Sequence, residues 1–256
     1  MTSMNVAMVM PVYNESDGIL SFLREIDDEF RDLEVIIVDD VSADSTVKMV
    51  SEFRPQNVTI RLVENQKNKG HGPSTLRALN EGLNSGANVV IASDGDGQVS
   101  AQDLRRMLDE FHSANCDVIV GIRIGRKESA FRVMTSWATR VITGVRSRKR
   151  VLDANTPFRV YGSRALAKLL ETVPRDSMVP NLWVTVISQR SAMDVGFILV
   201  NARDRLGSST VGSTWGRGLK ILPTRRFVRF CFLATVKWLS ALQDVRSRHS
   251  VGKYPE

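Results

Sequence analysis

The amino-acid sequence predicts an α/β domain with a Rossmann-like, mostly parallel sheet and helices on both of its faces. Short apolar runs rich in β-branched residues recur along the first 122 residues, and amphipathic segments separate them. Strands buried on both faces read as continuous apolar runs, and their alternation with helices is typical of doubly wound folds. Apolar residues make up 43% of the chain and charged residues 25%, a balance that excludes a disordered protein.

The elements of the first half follow from these patterns. Strands are predicted at residues 6–12, 35–38, 58–63, 89–92 and 118–122. Apolar residues spaced three and four apart predict helices over residues 19–30, 47–53, 73–86 and 101–111. Asp17 is expected to cap the first helix and Ser42 or Asp44 the second, while Ser100 and Asp103 resemble a capping box.

Beyond residue 122 the pattern is looser. Helices are predicted over residues 128–144 and 163–172, strands over 156–161 and 194–200, and a loop over 203–218. We expect one domain, residues 1–220, with a first half at 1–122 and a second half at 123–220. Residues 221–256 are expected to form a basic amphipathic extension, in which the stripe at 227–242 either lies on a membrane or packs on the domain.

The net charge and the cysteine content indicate which partners and which cellular compartment to expect. A net charge of +7 favours an anionic partner: nucleotide phosphate, nucleic acid or an acidic lipid surface. Cys116 and Cys231 form no CxxC pair, which fits a reducing cytoplasm. No signal-peptide pattern and no run of about 18 apolar residues is present, so we expect a cytoplasmic protein that is at most peripheral on the cytoplasmic face of a membrane.

Three polar clusters follow predicted strands and should meet at one sheet edge. These are residues 13–15, the pair Asp39 and Asp40, and the segment 94–98, which reads DGDGQ. Carboxylate and amide oxygens suit Mg²⁺ or Mn²⁺, and glycines allow the tight turn that brings them together. Taken alone, the segment could equally be a surface turn; an EF-hand is excluded because the twelfth position lacks Glu. His71 has no carboxylate or second His at useful spacing, which argues against a metal or base role.

Four motifs in order resemble the nucleotide-sugar-binding half of family 2 glycosyltransferases with the A-type fold. They are PVYNE at residues 11–15, VDDVSADST at 38–46, NKG at 68–70 and DGDGQ at 94–98. The resemblance implies a hexosyltransferase that uses a UDP- or GDP-sugar and a divalent cation. It implies that Asp94, Asp96 and Gln98 hold the metal and the diphosphate, with Asp96 also serving catalysis.

The same resemblance implies a donor site around the base and ribose. Its residues would be Pro11, Tyr13, Asn14, Glu15, Asp39, Asp40, Lys69 and Gly95, besides the two metal-binding carboxylates. A carboxylate can accept an N–H from a base edge, and an aromatic ring offers a packing surface. Glu15 has an equal alternative as a first-turn acid of the helix that follows, and Lys69 could be part of a solvated turn.

The DxDxQ form and a later FR segment resemble the branch that loads sugars onto polyprenyl phosphates, such as dolichol-phosphate mannose synthases. This implies that acceptor phosphate is bound by arginines, here Arg123, Arg132, Arg159 and Arg205. For Arg123 and Arg132 the alternative is a place on a helix surface without a binding role. It also makes Asp153 the candidate catalytic base or acceptor orienter, with a turn or capping role as the alternative. The branch's R-x-x-G-x-S segment is altered here, because Arg203 and Arg205 flank the usual arginine position.

Two other functions compete with transfer to a lipid phosphate. The acceptor could instead be a hydroxyl of a polysaccharide or small molecule. Members of family 2 use both kinds of acceptor. A basic nucleic-acid-binding protein is the remote alternative, but helix-turn-helix, zinc-finger and RNP-like patterns are absent from the sequence. Such a protein would also leave three acidic clusters unexplained, since carboxylates repel phosphate unless a metal intervenes.

Overall fold

A computed structural model describes residues 5–125, 139–141, 143–145, 147 and 151–207 of the protein. In this part of the chain, seven strands form one sheet in the order β3-β2-β1-β4-β6-β5-β7. All strand pairs are parallel except those that β6 makes with β4 and β5. The predicted α/β fold with a mostly parallel sheet is therefore confirmed.

The strands are short and the helices lie between them in sequence. The strands are β1 (Val6–Val12), β2 (Leu33–Asp39), β3 (Thr59–Glu64), β4 (Val89–Ala92), β5 (Val118–Ile124), β6 (Arg159–Gly162) and β7 (Val195–Asn201). The helices are α1 (Ile19–Glu29), α2 (Thr46–Glu52), α3 (His71–Asn84), α4 (Ala101–Ala114), α5 (Ser163–Thr172) and α6 (Pro180–Arg190).

Two apolar cores lie on opposite faces of the sheet, as the strand pattern requires. Successive residues of β1 alternate between them: Met8 and Met10 pack with the apolar side chains of α1 and α4. Ala7 and Val9 pack on the other face, with α3, α5 and α6. Helices on both faces leave the strand ends as the part of the sheet that the helices do not cover.

Most predicted elements are confirmed, and the differences are local. Asp17 does not cap α1, which begins at Ile19 after Gly18 and lacks a side-chain cap. Ser100 does cap α4, since its hydroxyl accepts a hydrogen bond from the Asp103 N–H at 3.1 Å. Helix α6 was not predicted. Of the helix predicted over 128–144, only residues 139–141, 143 and 144 are described, and these are helical.

The predicted amphipathic stripe at 227–242 and the tail at 221–256 lie outside the described residues. Within the described part, no helix has both the length and the apolar character needed to cross a bilayer.

Asp27, near the end of α1, anchors the loop that leads into β3. Its carboxylate accepts hydrogen bonds from the backbone N–H groups of Gln56, Asn57 and Val58 at 2.8–3.1 Å. Burial disfavours the charged form, but these donors outweigh burial and hold the pKa of the Asp27 carboxyl below its usual value. The charged side chain thus stabilises the fold without taking part in a site.

The Asp27→Asn substitution should lower the free energy of unfolding at neutral pH by about 2 kcal/mol, because bonds to a charged acceptor are lost. A depressed pKa stabilises the folded state above the unfolded-state pKa, and that stability disappears as pH falls through the folded-state pKa. Urea denaturation at pH 7 and at pH 3 should show the difference shrinking at the lower pH. Asp28→Asn, on the exposed face of the same helix, is the control; an equal loss there would refute the role of Asp27.

Candidate functional site

The carboxyl ends of β1, β2 and β4 meet at one edge of the sheet, because these strands are parallel neighbours. Backbone hydrogen bonds keep the departing chains together: the Asp40 N–H donates to Val12 O at 3.0 Å and the Ser93 N–H to Val9 O at 3.1 Å. The three polar clusters predicted from the sequence therefore converge. In open α/β sheets this edge is where ligands bind.

The loop after β1 is fixed to the loop after β2 by side-chain hydrogen bonds. The buried Asn14 accepts from the Ala43 N–H through Oδ1 at 2.8 Å, and its own N–H donates to Ser42 Oγ at 2.9 Å. The Glu15 N–H donates to Thr46 Oγ1 at 2.8 Å. Asn14 adopts a left-handed backbone with φ of 54°, which an Asn tolerates better than most residues. In this structure, Asn14 orders the site.

Asp39 and Asp40 are almost completely buried, and both carboxylates are engaged within the protein. Asp39 accepts from the N–H of Ser42 at 2.9 Å and from its hydroxyl. Asp40 accepts from Asn65 Nδ2 at 2.7 Å and from the N–H groups of Lys69 and Gly70 at 2.8 Å each. These bonds hold the loop between β3 and α3 against the sheet edge. Contact of either carboxylate with a nucleotide stays a prediction.

The remaining predicted donor residues differ in their access to solvent. Tyr13 exposes 38% of its surface, and Lys69 is exposed at the rim of the edge. Pro11 is buried within β1. Tyr13 and Lys69 thus offer the surface that a base or a phosphate needs, and their binding role likewise stays a prediction.

The DGDGQ turn, residues 94–98, follows β4 and depends on its two glycines. Gly97 has φ of 63°, a left-handed conformation that favours glycine. A Cβ on Gly95 would collide with the side chain of Val12, so only glycine lets the turn lie against β1. Inside the turn the Gln98 N–H donates to Asp96 Oδ1 at 3.2 Å. The turn therefore presents Asp94 and Asp96 beside the end of β1.

Asp94 carries an acceptor atom without a partner. Its Oδ1 is buried and accepts no hydrogen bond, and His71 Nε2 lies 3.6 Å away, beyond hydrogen-bonding distance. A buried, unbonded carboxylate oxygen is costly unless a ligand satisfies it. Sequence spacing places no carboxylate beside His71, but the fold brings α3 and the turn together across 23 residues of sequence. The expectation that His71 has no metal or base role stays a prediction.

The carboxylate oxygens of the turn suit a hard divalent cation that is also bound by the substrate. The described residues contain no group of three or more His, Cys, Asp or Glu side chains placed to hold a metal. Two carboxylates, Asp94 and Asp96, do lie together, and Mg²⁺ is usually bound by one or two carboxylates plus substrate phosphates and water. The unbonded oxygen of Asp94 therefore fits a cation that completes its shell with a diphosphate.

Glu15 and Asp96 are carboxyl groups whose charge the fold disfavours. Burial raises the pKa of Glu15 to about 7, although the paired Arg205 opposes the shift. Burial and the nearby charge of Asp94 raise the pKa of Asp96 to about 6. Such carboxylates gain from a cation that arrives with the ligand. The alternative for Glu15 as a first-turn acid is wrong, because α1 begins four residues later.

Arg205 is a cation beside the acidic side chains of Glu15 and Asp96. It forms a two-point ion pair with Glu15, in which Nε donates to Oε2 at 3.1 Å and Nη2 donates to Oε1. Its predicted contact with acceptor phosphate is not tested by this pairing and stays a prediction. The pair brings the segment after β7 to the end of β1.

A second ion pair lies in the second half of the chain. Arg123, at the end of β5, donates through Nε and Nη2 to the two carboxylate oxygens of Asp153 at 2.7 and 2.8 Å. Both side chains are largely buried, with 11% and 14% of their surfaces exposed. The fold thus joins two residues that the sequence analysis assigned to the acceptor, although they are 30 positions apart.

Arg159, at the start of β6, has a side chain with no exposed surface. Its guanidinium donates to Thr156 O, Asn181 O and Thr185 Oγ1 at 2.6–3.2 Å, joining β6 to α6. The predicted contact of Arg159 with acceptor phosphate stays a prediction. Arg132 lies outside the described residues.

Comparison with known proteins places this architecture in a family. The family model described as glycosyl transferase family 2 matches residues 7–172. The chain belongs to glycosyltransferase family 2. The match runs from the second residue of β1 through the end of α5 and includes the DGDGQ turn and Asp153.

Relatives with named activities are similar to this chain at low identity. The dodecaprenyl-phosphate galacturonate synthase of Rhizobium johnstonii is 23% identical over 89% of this chain and 68% of its own length. An undecaprenyl-phosphate 4-deoxy-4-formamido-L-arabinose transferase of Pectobacterium carotovorum is 26% identical over 75% and 59%. The chain spans about three fifths of the length of several curated relatives that it matches. The relatives of this chain thus include proteins named for the transfer of sugars to polyprenyl phosphates.

A solved structure supports the fold. The glucosyl-3-phosphoglycerate synthase of Mycobacterium tuberculosis, crystallised with Mn²⁺, UDP and phosphoglyceric acid, matches 93% of this chain and 78% of its own with a TM-score of 0.66 at 16% identity. At this identity the likeness establishes the A-type glycosyltransferase fold.

Proposed function

We propose that this protein transfers a sugar from a nucleoside diphosphate sugar to a polyprenyl phosphate, with a divalent cation held by Asp94 and Asp96. The observation that carries the proposal is the buried, unbonded Oδ1 of Asp94 at the sheet edge. The relatives named for transfer to polyprenyl phosphates support the choice of acceptor. The solved relative that holds Mn²⁺ and UDP supports the choice of donor and metal.

When bound, Mg²⁺ or Mn²⁺ neutralises the negative charge that develops on the departing nucleoside diphosphate. Asp94 and Asp96 would hold the cation, and Gln98 would add an amide oxygen from the same turn. Tyr13 and Lys69, both exposed at the rim, are available to the base and the phosphates. Asp39 and Asp40 keep the surrounding loops in place through their buried hydrogen bonds.

The acceptor phosphate is proposed to bind near Arg123. A phosphate monoester oxygen is already anionic, so the attack on the anomeric carbon needs positioning more than a base. Arginine suits this role because its planar guanidinium binds phosphate at two points. Since both oxygens of Asp153 are bonded to Arg123, we assign Asp153 to orienting that arginine.

Membrane contact is proposed for the same half of the protein. Residues 123–150 contain nine Lys and Arg side chains against one acid, Glu128, so this stretch accounts for the whole net charge of +7. Six of the eight exposed large apolar side chains in the described residues also lie beyond residue 122: Ile124, Val141, Val145, Leu152, Phe197 and Leu199. A basic sequence and exposed apolar side chains in the same half of the chain favour an anionic bilayer on the cytoplasmic side.

Metal-dependent donor binding should weaken as pH falls below about 6. Asp96 must be ionised to hold the cation, and its raised pKa means that each pH unit below 6 costs about tenfold in affinity. Titration of UDP-glucose with Mn²⁺ at pH 5, 6, 7 and 8 would measure the effect. UDP-glucose is preferable to UDP because its diphosphate lacks a terminal phosphate that ionises near pH 6. Constant affinity across this range would contradict the assignment of Asp96.

The folding stability of the metal-free protein should also depend on pH, because folding raises the pKa of Glu15 and Asp96. A carboxyl whose pKa is raised by folding holds its proton more tightly in the folded state, so the stabilisation is lost as pH rises from the unfolded-state value to the folded-state value. Glu15 and Asp96 should therefore destabilise the metal-free protein between about pH 4 and pH 7. Added Mn²⁺ should reverse the loss.

A transfer assay tests the function directly. Radiolabelled UDP- and GDP-sugars are incubated with polyprenyl phosphate in detergent, and the label is partitioned between organic and aqueous phases. Metal-dependent label in the organic phase is expected. Label that stays aqueous but moves to a hydroxyl acceptor would replace the lipid acceptor with the second candidate and leave the donor site intact.

A further inference from the structure

The residues after β7 form an arm, residues 202–207, that lies against the DGDGQ turn. Three consecutive carbonyl oxygens of the turn accept hydrogen bonds from it. The Leu206 N–H donates to Asp96 O at 3.0 Å, and the Arg203 N–H donates to Gln98 O at 2.9 Å. Between them, Arg203 Nε donates to Gly97 O at 2.6 Å. The arm therefore bonds both peptide units between Asp96 and Gln98 and the peptide unit that follows Gln98.

Arg203 is itself held from the opposite side. Its Nη2 donates to Glu25 Oε2, on α1, at 2.7 Å, and the two side chains are about one-third exposed. A guanidinium that bonds a carboxylate with one nitrogen and a carbonyl with another has little rotational freedom. Leu206 supports the same contact, because a Cβ on Gly97 would collide with its side chain. The chain thus connects α1, the arm and the turn through one arginine.

We propose that Arg203, aligned by Glu25, is a positioning residue for the metal-binding turn. Its hydrogen bonds to the turn go to the backbone oxygens of Gly97 and Gln98, and it acts by setting the backbone from which Asp96 and Gln98 project. Groups that orient metal ligands typically contribute 10–100-fold to metal affinity or activity. The inference rests on the proposed donor site and identifies residues that none of the donor motifs contains.

Arg203→Lys tests the inference, because lysine keeps the charge but not the planar fork. The measurement is the ratio of UDP affinity with Mn²⁺ to UDP affinity with EDTA, by titration calorimetry on the full chain. The variant should reduce this ratio at least tenfold, and Glu25→Gln should reduce it less, since the bond to Gly97 O remains. Arg31→Lys is the matched control: Arg31 also donates to backbone carbonyls, at 2.8–3.1 Å, but at the end of α1 away from the turn.

Hydrogen exchange on the metal-free protein separates positioning from a general loss of stability. Arg203→Lys should speed exchange of amides in residues 94–98 and 202–207 while leaving β2 unchanged. An unchanged affinity ratio in a wild type that does bind Mn²⁺ and UDP would overturn this inference alone. A wild type without metal-dependent binding would overturn the proposed function and the inference with it. A variant with normal turn exchange but a reduced ratio would also refute the positioning role.

Discussion

Asp94→Asn should abolish metal-dependent donor binding, with a loss of at least about 100-fold in affinity for Mn²⁺ with UDP and about 1000-fold in transfer rate. The substitution removes the charge of the one buried carboxylate oxygen in the turn that has no partner. An amide in that place is a weaker ligand for a hard cation, and half of it is a hydrogen-bond donor. Affinity for UDP in EDTA should stay near the wild-type value.

Stability distinguishes this loss from unfolding. The charge of Asp94 raises the pKa of Asp96, so the two carboxylates repel each other in the metal-free protein. Asp94→Asn removes the repulsion and should leave the melting temperature of the metal-free protein equal or higher. Asp109→Asn, which removes an exposed carboxylate paired with Arg105 on α4, controls for the change in net charge. Metal-dependent binding that survives in Asp94→Asn would overturn the metal site.

The strands could be predicted from the sequence because strands buried on both faces consist of apolar, mostly β-branched residues. Runs such as residues 35–38 contain only branched apolar residues, which suit a strand covered on both faces. Helix α6 was not predicted, because the residue types of its segment do not favour a helix. Its segment contains Val184, Thr185 and Val186, which favour strands, and its polar residues Asn181 and Gln189 are buried beside them. Tertiary burial overrode local preference there.

Some features of the candidate site were likewise predictable from the sequence and others were not. The apolar strand pattern predicted that Asp94 and Asp96 stand at the sheet edge, because strand ends are a local property of the chain. Contacts between distant segments were beyond this reasoning: Arg203 and Gly97 are 106 positions apart, and Arg205 and Glu15 are 190 apart. The internal bonds of Asp40 were not predictable either, because an acid at a strand end has the same sequence pattern whether it binds a ligand or a loop. Only the fold decides which carboxylates remain unbonded.

Asp153→Asn should lower the rate of transfer to polyprenyl phosphate by about 100-fold, the effect of ~2–3 kcal/mol, while the affinity for the donor stays unchanged. The reason is the two-point pair with Arg123, whose partners are nearly buried. An asparagine leaves one acceptor and turns an N–H group toward the guanidinium. The arginine then loses its two-point orientation.

A double-mutant cycle with Arg123→Ala decides between the two roles open to Asp153. If the carboxylate acts by orienting Arg123, removing both should cost no more than removing Arg123 alone, because the oriented group is already absent. If the carboxylate is instead a general base, the two losses should approximately multiply, and Asp153→Asn alone should flatten the rise of rate with pH. Acceptor kinetics for the four proteins, measured at fixed saturating donor, give both readouts. The bonded state of both Asp153 oxygens leads us to expect the first outcome.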